Sequence, residues 1–170
     1  MELPEFKYNP NAYKLKIIKK KNIVCEYCGN KSEYSYDGPF YSIEDIEKIC
    51  PWCISNGSAS KKFDGEFQDA ASIEDCKNLD AVEEVTKRSP GYFGWQQEVW
   101  LSYCDDLCAF IGFAKPKHIK EHMADLEEDL ENSGYGDVEE LIEGIEEETL
   151  GGYLFQCLHC GKHRIHIDAD

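Results

Sequence analysis

Ile23-Val24-Cys25-Glu26-Tyr27-Cys28-Gly29, followed at a distance by Cys50-Pro51-Trp52-Cys53, is the stretch whose reading decides the fold. Two thiolates with two residues between them sit on a loop short enough to aim both at one ion, and two such loops complete a tetrahedral shell. Ile23 and Val24 predict a strand leading into the first pair, and Tyr34 and Tyr36 a strand leading out. Cys25 and Cys28 then ride on the knuckle of a β-hairpin. Gly29 supplies the positive φ that turns backbone N–H groups back toward the cysteine sulfurs. Pro51 suits a first helical turn, so Cys50 and Cys53 are expected to open a helix running through Ile54 toward Lys62, its positive end facing the thiolates. A knuckle on a hairpin plus a pair at a helix start is a treble-clef or zinc-ribbon-like arrangement.

The same Cys-x2-Cys-Gly unit returns as Cys157-Leu158-His159-Cys160-Gly161, set between the alternating stretches Tyr153-Leu154-Phe155 and His163 to Ile167. Cys104 and Cys108 are four apart and, on one helix, would project to the same side. A second centre is therefore expected from Cys104, Cys108, Cys157 and Cys160, with His118, His122, His159 or His163 able to replace a thiolate. The eight cysteines predict two Zn²⁺ ions. Cys76 has no near partner in sequence and is read as an ordinary small residue. A dithiol switch at Cys50 and Cys53 would need a thioredoxin-type βαβ context, which the sequence does not show.

Charge narrows the partners. The 170 residues carry 34 acidic and 18 basic side chains, a formal net charge of −16, and eight zinc-bound thiolates would bring this to about −20. Such a surface repels phosphate backbones, so nucleic-acid binding is disfavoured despite the cysteine pairs, and a basic protein is the better electrostatic match. The start of the chain has no basic region followed by an apolar one, and no stretch approaches ~18 apolar residues, so no membrane insertion and a cytoplasmic location are expected. In a reducing compartment the cysteines serve as ligands rather than disulfides.

The rest reads as a single α+β domain over 1–170, with an N-terminal knuckle lobe at 1–63, a helical region at 64–150 and a C-terminal knuckle hairpin at 151–170. Residues 1–20 read as an extended, exposed arm in which Phe6 and Tyr8 alternate as on an edge strand. Ser42 and Asp45 suggest the capped start of a short helix with Ile43, Ile46 and Ile49 on one face. Asn78 to Lys87 suggests a helix with Leu79, Val82 and Val85 inward, and Trp95, Val99 and Trp100 fall on one helical face within the aromatic run Tyr92 to Tyr103. Lys115-Pro116 opens a helical region with a stripe of Ile119, Met123, Leu126 and Leu130. A second helix from Asp137 carries Val138, Leu141, Ile142 and Ile145. The outer faces from Asp125 to Glu148 are acidic.

Several of these motifs together resemble the CbrC family of bacterial proteins. They are Leu3-Pro4-Glu5-Phe6-Lys7-Tyr8, the first Cys-x2-Cys-Gly, Tyr36 to Pro39 with Tyr41, Cys50-Pro51-Trp52-Cys53-Ile54, Gly57-Ser58-Ala59 and Lys62-Phe63. Pro90-Gly91-Tyr92, Gly94-Trp95-Gln96-Gln97, Trp100, Cys104 to Phe110 and Phe155 to Gly161 complete the match. The namesake of that family is linked to tolerance of a DNase colicin in enteric bacteria. The resemblance itself implies only that link to toxin tolerance; taken with the acidic charge and the cysteine pairs, the expected function is a non-enzymatic, zinc-stabilised binding protein whose acidic face meets a basic toxin or nuclease. A zinc-dependent hydrolase using an open second site, with Glu98 or His122 as base, and a thiol or zinc redox sensor are the alternatives.

Overall fold

Seven strands and six α-helices form in a computed structural model, which describes residues 2–169, and the architecture is mixed α+β. The chain clusters into two units, Met1–Ser72 with Asn78–Phe93, and Ile73–Lys77 with Gly94–Asp170.

In the first unit, β1 (Ile18–Val24) and β2 (Lys31–Tyr36) pair antiparallel, Ile18 opposite Tyr36 and Val24 opposite Lys31, with a register shift between Lys20 and Ile23. Ile18 and Ile23 of β1 are buried, while Lys19, Lys20, Lys21 and Val24 are exposed and Lys19 pairs with Asp37. The segment before β1 is not the exposed arm its prolines suggest. Phe6, Tyr8, Asn9 and Ala12 are buried, the chain turns through Ala12 N–H to Asn9 O and Leu15 N–H to Asn11 O, and Asn9 Nδ2 donates to Pro90 O at 2.9 Å. Phe6 and Tyr8 are buried without forming an edge strand, and Pro4 and Pro10 only fixed where the chain could not be helical.

Ser42 does not cap a helix. Its hydroxyl donates to Glu44 O at 2.6 Å, closing a local turn, and Ile43 stands wholly exposed. The chain then stays extended through Ile49 because its backbone is used sideways: Glu26 N–H donates to Lys48 O and Tyr36 N–H to Ile49 O. This extended stretch delivers Cys50 to the hairpin. Two short helices follow, α1 (Pro51–Ser55) and α2 (Ser58–Phe63), in place of the one expected. Gly57, at φ 71°, breaks them apart. In α3 (Leu79–Arg88) the Asn78 side chain accepts from Ala81 N–H, as an N-cap should. Its buried face is Ala81, Val85 and Thr86, whereas Leu79, in the first turn, is 74% exposed.

Phe67 sits at the centre of this unit, fully buried against Phe40 and Tyr36 with ring centroids 4.8 and 5.3 Å away. Gly91 passes beside it: a Cβ there would lie 1.9 Å from Phe67 O, and its N–H donates to the Tyr36 hydroxyl at 3.1 Å. Backbone, not a flexible side chain, blocks that space. Gly91→Ala is expected to cost about 1–3 kcal/mol, read as a lowered denaturation midpoint with unchanged slope; a neutral result would contradict this packing.

The second unit opens with a two-residue hairpin, β3 (Ser102–Tyr103) and β4 (Asp106–Leu107), followed by β5 (Ala109–Phe113). Three helices, α4 (Pro116–Glu121), α5 (Met123–Asn132) and α6 (Val138–Glu146), lead to β6 (Leu150–Gln156) and β7 (His163–Ala169). The antiparallel sheet runs in the order β5-β6-β7. The expected apolar stripes meet it: Ile119, Leu126, Leu130 and Leu141 are fully buried with Leu154, Ile165 and Ile167, and Met123, Val138, Ile142 and Ile145 pack around them. At ~1.5–3 kcal/mol for each fully buried aliphatic side chain, this layer is a substantial apolar anchor of the unit, beside the packed rings of Trp100, Phe110 and Phe155.

Trp95 to Trp100 is not helical. Asp168 Oδ2 takes the backbone N–H groups of Trp95 and Gln96 at 2.8 and 2.7 Å, and Glu98 takes that of Gly94 at 3.1 Å. These carboxylates pin the backbone of the segment to β7 and to Glu98 in its irregular course. Trp100 is still core, packed on Phe155 at 5.7 Å, while Trp95 is 43% exposed. No described helix is long and apolar enough to cross a membrane.

Candidate metal centres

The first knuckle is a tight loop between β1 and β2. Cys25 N–H donates to Asn30 O at 2.9 Å and Gly29 N–H to Cys25 O at 2.8 Å, with Gly29 at φ 71°. The second knuckle, between β6 and β7, has the same frame: Cys157 N–H donates to Lys162 O at 2.8 Å, Gly161 N–H to Cys157 O at 3.1 Å, and Gly161 has φ 78°. Any Cβ-bearing residue would be strained at those two glycines. The repeated motif therefore folds the same way twice, each time turning its pair of cysteines to one side.

Around the first knuckle, the sulfurs of Cys25, Cys28, Cys50 and Cys53 all lie within 4.8 Å of one another. Cys50 and Cys53 come from the N-terminus of α1, their sulfurs 3.3 Å apart, and Cys50 N–H donates to Cys25 Sγ at 3.4 Å. A tetrahedral zinc with Zn–S bonds of ~2.3 Å places its sulfurs ~3.8 Å apart, so small adjustments bring this set onto one ion. The four residues are buried or nearly so. Hydrogen bonding by the Cys50 thiol, with backbone N–H groups of Cys28, Cys50 and Tyr27, pulls the Cys25 thiol down to about 4 against the effect of burial. The same contact raises Cys50, and burial pushes Cys53 up to about 12. One sulfur is ready as an anion, and its neighbours become ligands by giving up protons.

The second cluster has three members. Cys104, Cys157 and Cys160 bring their sulfurs within 4.8 Å of one another, and Cys104 and Cys160 are 3.7 Å apart. Cys104 does not stand on a helix with Cys108. It occupies the turn between β3 and β4, where Cys104 and Asp105 both have positive φ, 54° and 58°. Cys108 lies beyond β4, and the strand carries it away from the turn. Its N–H donates to Leu101 O at 2.9 Å, its carbonyl accepts from Trp100 Nε1 at 2.9 Å, and its fully buried thiol is pushed up to about 12 by burial. The structure does not bring Cys108 into the three-sulfur set. For Cys157, burial works to raise the thiol, but N–H groups of Cys160 and His159 and the neighbouring thiols outweigh it and lower it. Hydrogen bonding to Cys160 raises Cys104 to about 11.

None of the candidate histidines joins either set. His159 Nε2 meets the buried carboxylate of Asp106 at 2.8 Å, a pair whose members lie between Cys157 and Cys160 and between Cys104 and Cys108 and that the spacing of cysteines alone did not reveal. His163 Nδ1 meets Asp125 Oδ2 at 3.3 Å and its ring stacks on His122 at 3.7 Å, while His118 Nδ1 accepts from Lys115 N–H at 3.1 Å. Neither Glu98 nor His122 stands with the three sulfurs. Thiolate-only donor sets are strongly donating and activate water poorly, so both clusters suit a scaffold metal better than a hydrolytic one.

The family model of the uncharacterised protein family UPF0167 matches residues 3–169. The chain is 38% identical over 176 residues to the UPF0167 protein Mb2317 of Mycobacterium bovis, covering 98% of this chain and 94% of that one. It is 35% identical over 178 residues to the UPF0167 protein PA1536 of Pseudomonas aeruginosa, covering 99% and 97%. No solved structure matches. The match runs through both knuckles and every cysteine placed above, and the chain belongs to the uncharacterised protein family UPF0167.

Proposed function

We propose that this chain is a non-enzymatic, zinc-stabilised binding protein whose acidic second unit takes a basic protein partner. The observation that carries this is the separation of charge. The second unit holds 20 of the 34 acidic residues and only 6 of the 18 basic ones, a balance of −14 out of −16. Glu127, Glu128 and Glu131 on α5 and Glu139, Glu143 and Glu146 on α6 are exposed, while the apolar sides of both helices are spent on the core. A field concentrated in this way steers a positively charged surface toward it and repels nucleic acid.

Nuclease domains carry positive surfaces where they meet DNA, and the resemblance to the CbrC family makes a colicin DNase domain the first partner to try. Titration at low salt is expected to show binding that weakens about tenfold or more as ionic strength rises past 0.1 M, where the screening length falls to ~10 Å. Reversal at Glu139→Lys, Glu143→Lys and Glu146→Lys together should weaken it further without altering the fold. Absence of binding at low salt overturns the proposed partner.

A further inference from the structure

The two sulfur clusters are not equivalent. Four thiolates close the first set, and they lie in buried or half-buried positions. Three form the second; Cys157 is buried, but Cys104 and Cys160 are both exposed. Among the described residues no fourth cysteine, histidine or carboxylate comes within the 4.8 Å that binds the three together. The buried Cys108 thiol is near enough to feel the charges of Cys157 and Cys160, but its backbone is tied to Leu101 O and Trp100 Nε1 and its sulfur stays outside the set, while the His159 ring is held by Asp106.

We propose that the second centre is an open metal site, in which Cys104, Cys157 and Cys160 hold the ion and an exogenous thiolate takes the fourth, solvent-facing position. This rests on reading both clusters as metal centres. Three thiolates occupy three corners of a tetrahedron, and the 3.7 Å between Cys104 and Cys160 is close to the ~3.8 Å edge of such a shell. The exposure of Cys104 and Cys160 would leave a fourth ligand position open to solvent. Three strong donors leave the ion a weak acid toward water, so a water there is neither firmly held nor converted to hydroxide, while a soft donor is preferred. The exchange balances simply: an incoming thiol displaces the water, its sulfur forms the fourth bond, and its proton passes to solvent. The thiol can come from a small molecule or from a cysteine side chain of another protein, and the chemistry at the ion is the same.

Cobalt loading of the full chain tests this, because sulfur-to-cobalt absorption counts thiolate ligands. The Cys104→Ser variant, which leaves the first cluster intact, gives the spectrum of the closed site for subtraction. Glutathione and a cysteine-bearing peptide are then titrated in separate arms. The expected result is that absorption from the second site rises by about a third, as one sulfur joins three, and that the first site does not change. Saturation by glutathione assigns a small-molecule source; a response to the peptide alone assigns a protein cysteine. Cys108→Ser should leave the second site's spectrum as it is. A changed spectrum in that variant, or no response to either thiol, overturns the open site. Binding of cobalt at the first cluster but not at the second also overturns it, whereas binding at neither would remove the metal reading itself.

Discussion

Exhaustive chelation of the purified protein is expected to unfold the first unit. Its secondary structure is a two-stranded hairpin, helices of 5, 6 and 10 residues and one short 3₁₀ turn. None of these is stable alone: an isolated hairpin is marginal, and helices below about 12 residues do not persist in water. Cys25 and Cys28 on the hairpin and Cys50 and Cys53 at α1 join these pieces through one centre, and Cys25, Cys50 and Cys53 are buried at its heart. Structural zinc contributes on the order of 10 kcal/mol in comparable small folds, against a total stability of about 5–15 kcal/mol for a domain. Loss of an ion held by these four sulfurs would therefore outweigh what Phe67 and its neighbours can hold. Near-UV circular dichroism should collapse, and Cys25→Ser should reproduce the effect. The second unit keeps a three-stranded sheet and its own apolar layer, so Cys104→Ser should cost less. An unchanged melting temperature after chelation would sink the scaffold role of the metal.

Acid should act in the same direction. A zinc-bound thiolate carries no proton, so the metal-bound state binds fewer protons than the free one, and its stability is complete above the thiol's own pKa and lost as pH falls. Cys50 and Cys53, both raised, hold their protons near neutrality in the absence of metal, whereas Cys25 is held down and is already an anion. Each proton that zinc must displace weakens binding about tenfold per unit of falling pH, or about 1.4 kcal/mol. Zinc affinity measured between pH 8 and 6 should fall about a hundredfold or more per unit, the slope of two displaced protons.

Much of this was legible before the fold was known, and the reason is local geometry. Cys-x2-Cys-Gly fixes a loop by itself, so both knuckles and the flanking strands could be read from Ile23 to Tyr36 and from Tyr153 to Ile167. The stripes on α5 and α6 obeyed helical periodicity because one face of each meets the sheet. What failed was settled by distant partners. Ser42 to Ile49 carries helical spacing, but Lys48 and Ile49 give their carbonyls to Glu26 and Tyr36. Trp95 to Trp100 is instead held in an irregular course, with Trp95 and Gln96 N–H bound to Asp168, a residue some seventy positions on. Cys104 and Cys108 have the spacing of a helical ligand pair, and a two-residue hairpin separates them instead.

Arg164→Ala should be among the most damaging single changes away from the cysteines, and the reason is a charge enclosed by two others. Its Nη1 donates to Glu74 Oε2 at 2.7 Å and to Ser102 O at 2.7 Å, Nη2 donates to Asp129 Oδ1 at 2.6 Å, and Nε to Asp129 Oδ2 at 3.1 Å. Burial works against the guanidinium's charge, but hydrogen bonds to Asp129 and Glu74 prevail and hold it above its ordinary value. Side-chain exposures of 18% for Arg164, 12% for Asp129 and 33% for Glu74 leave little water to take over if the arginine is removed. Breaking one partner from such a buried network costs about 3–5 kcal/mol, a fall on the order of 10 °C in Tm for a chain of this size. Arg164→Lys should recover little, since an ammonium cannot span both carboxylates. Replacing all three by Gln, Met and Asn at 74, 164 and 129 should recover more than either, because no charge is then left unpaired. The same contacts carry a consequence for the metal. Arg164 holds the carbonyl of Ser102, two residues before Cys104, from β7, the strand that leaves the Cys157 and Cys160 knuckle. Elemental analysis of Arg164→Ala should therefore show the second ion lost ahead of the first. Full retention of two equivalents with a Tm near that of the parent would mean that this network neither stabilises the unit nor aligns its sulfurs.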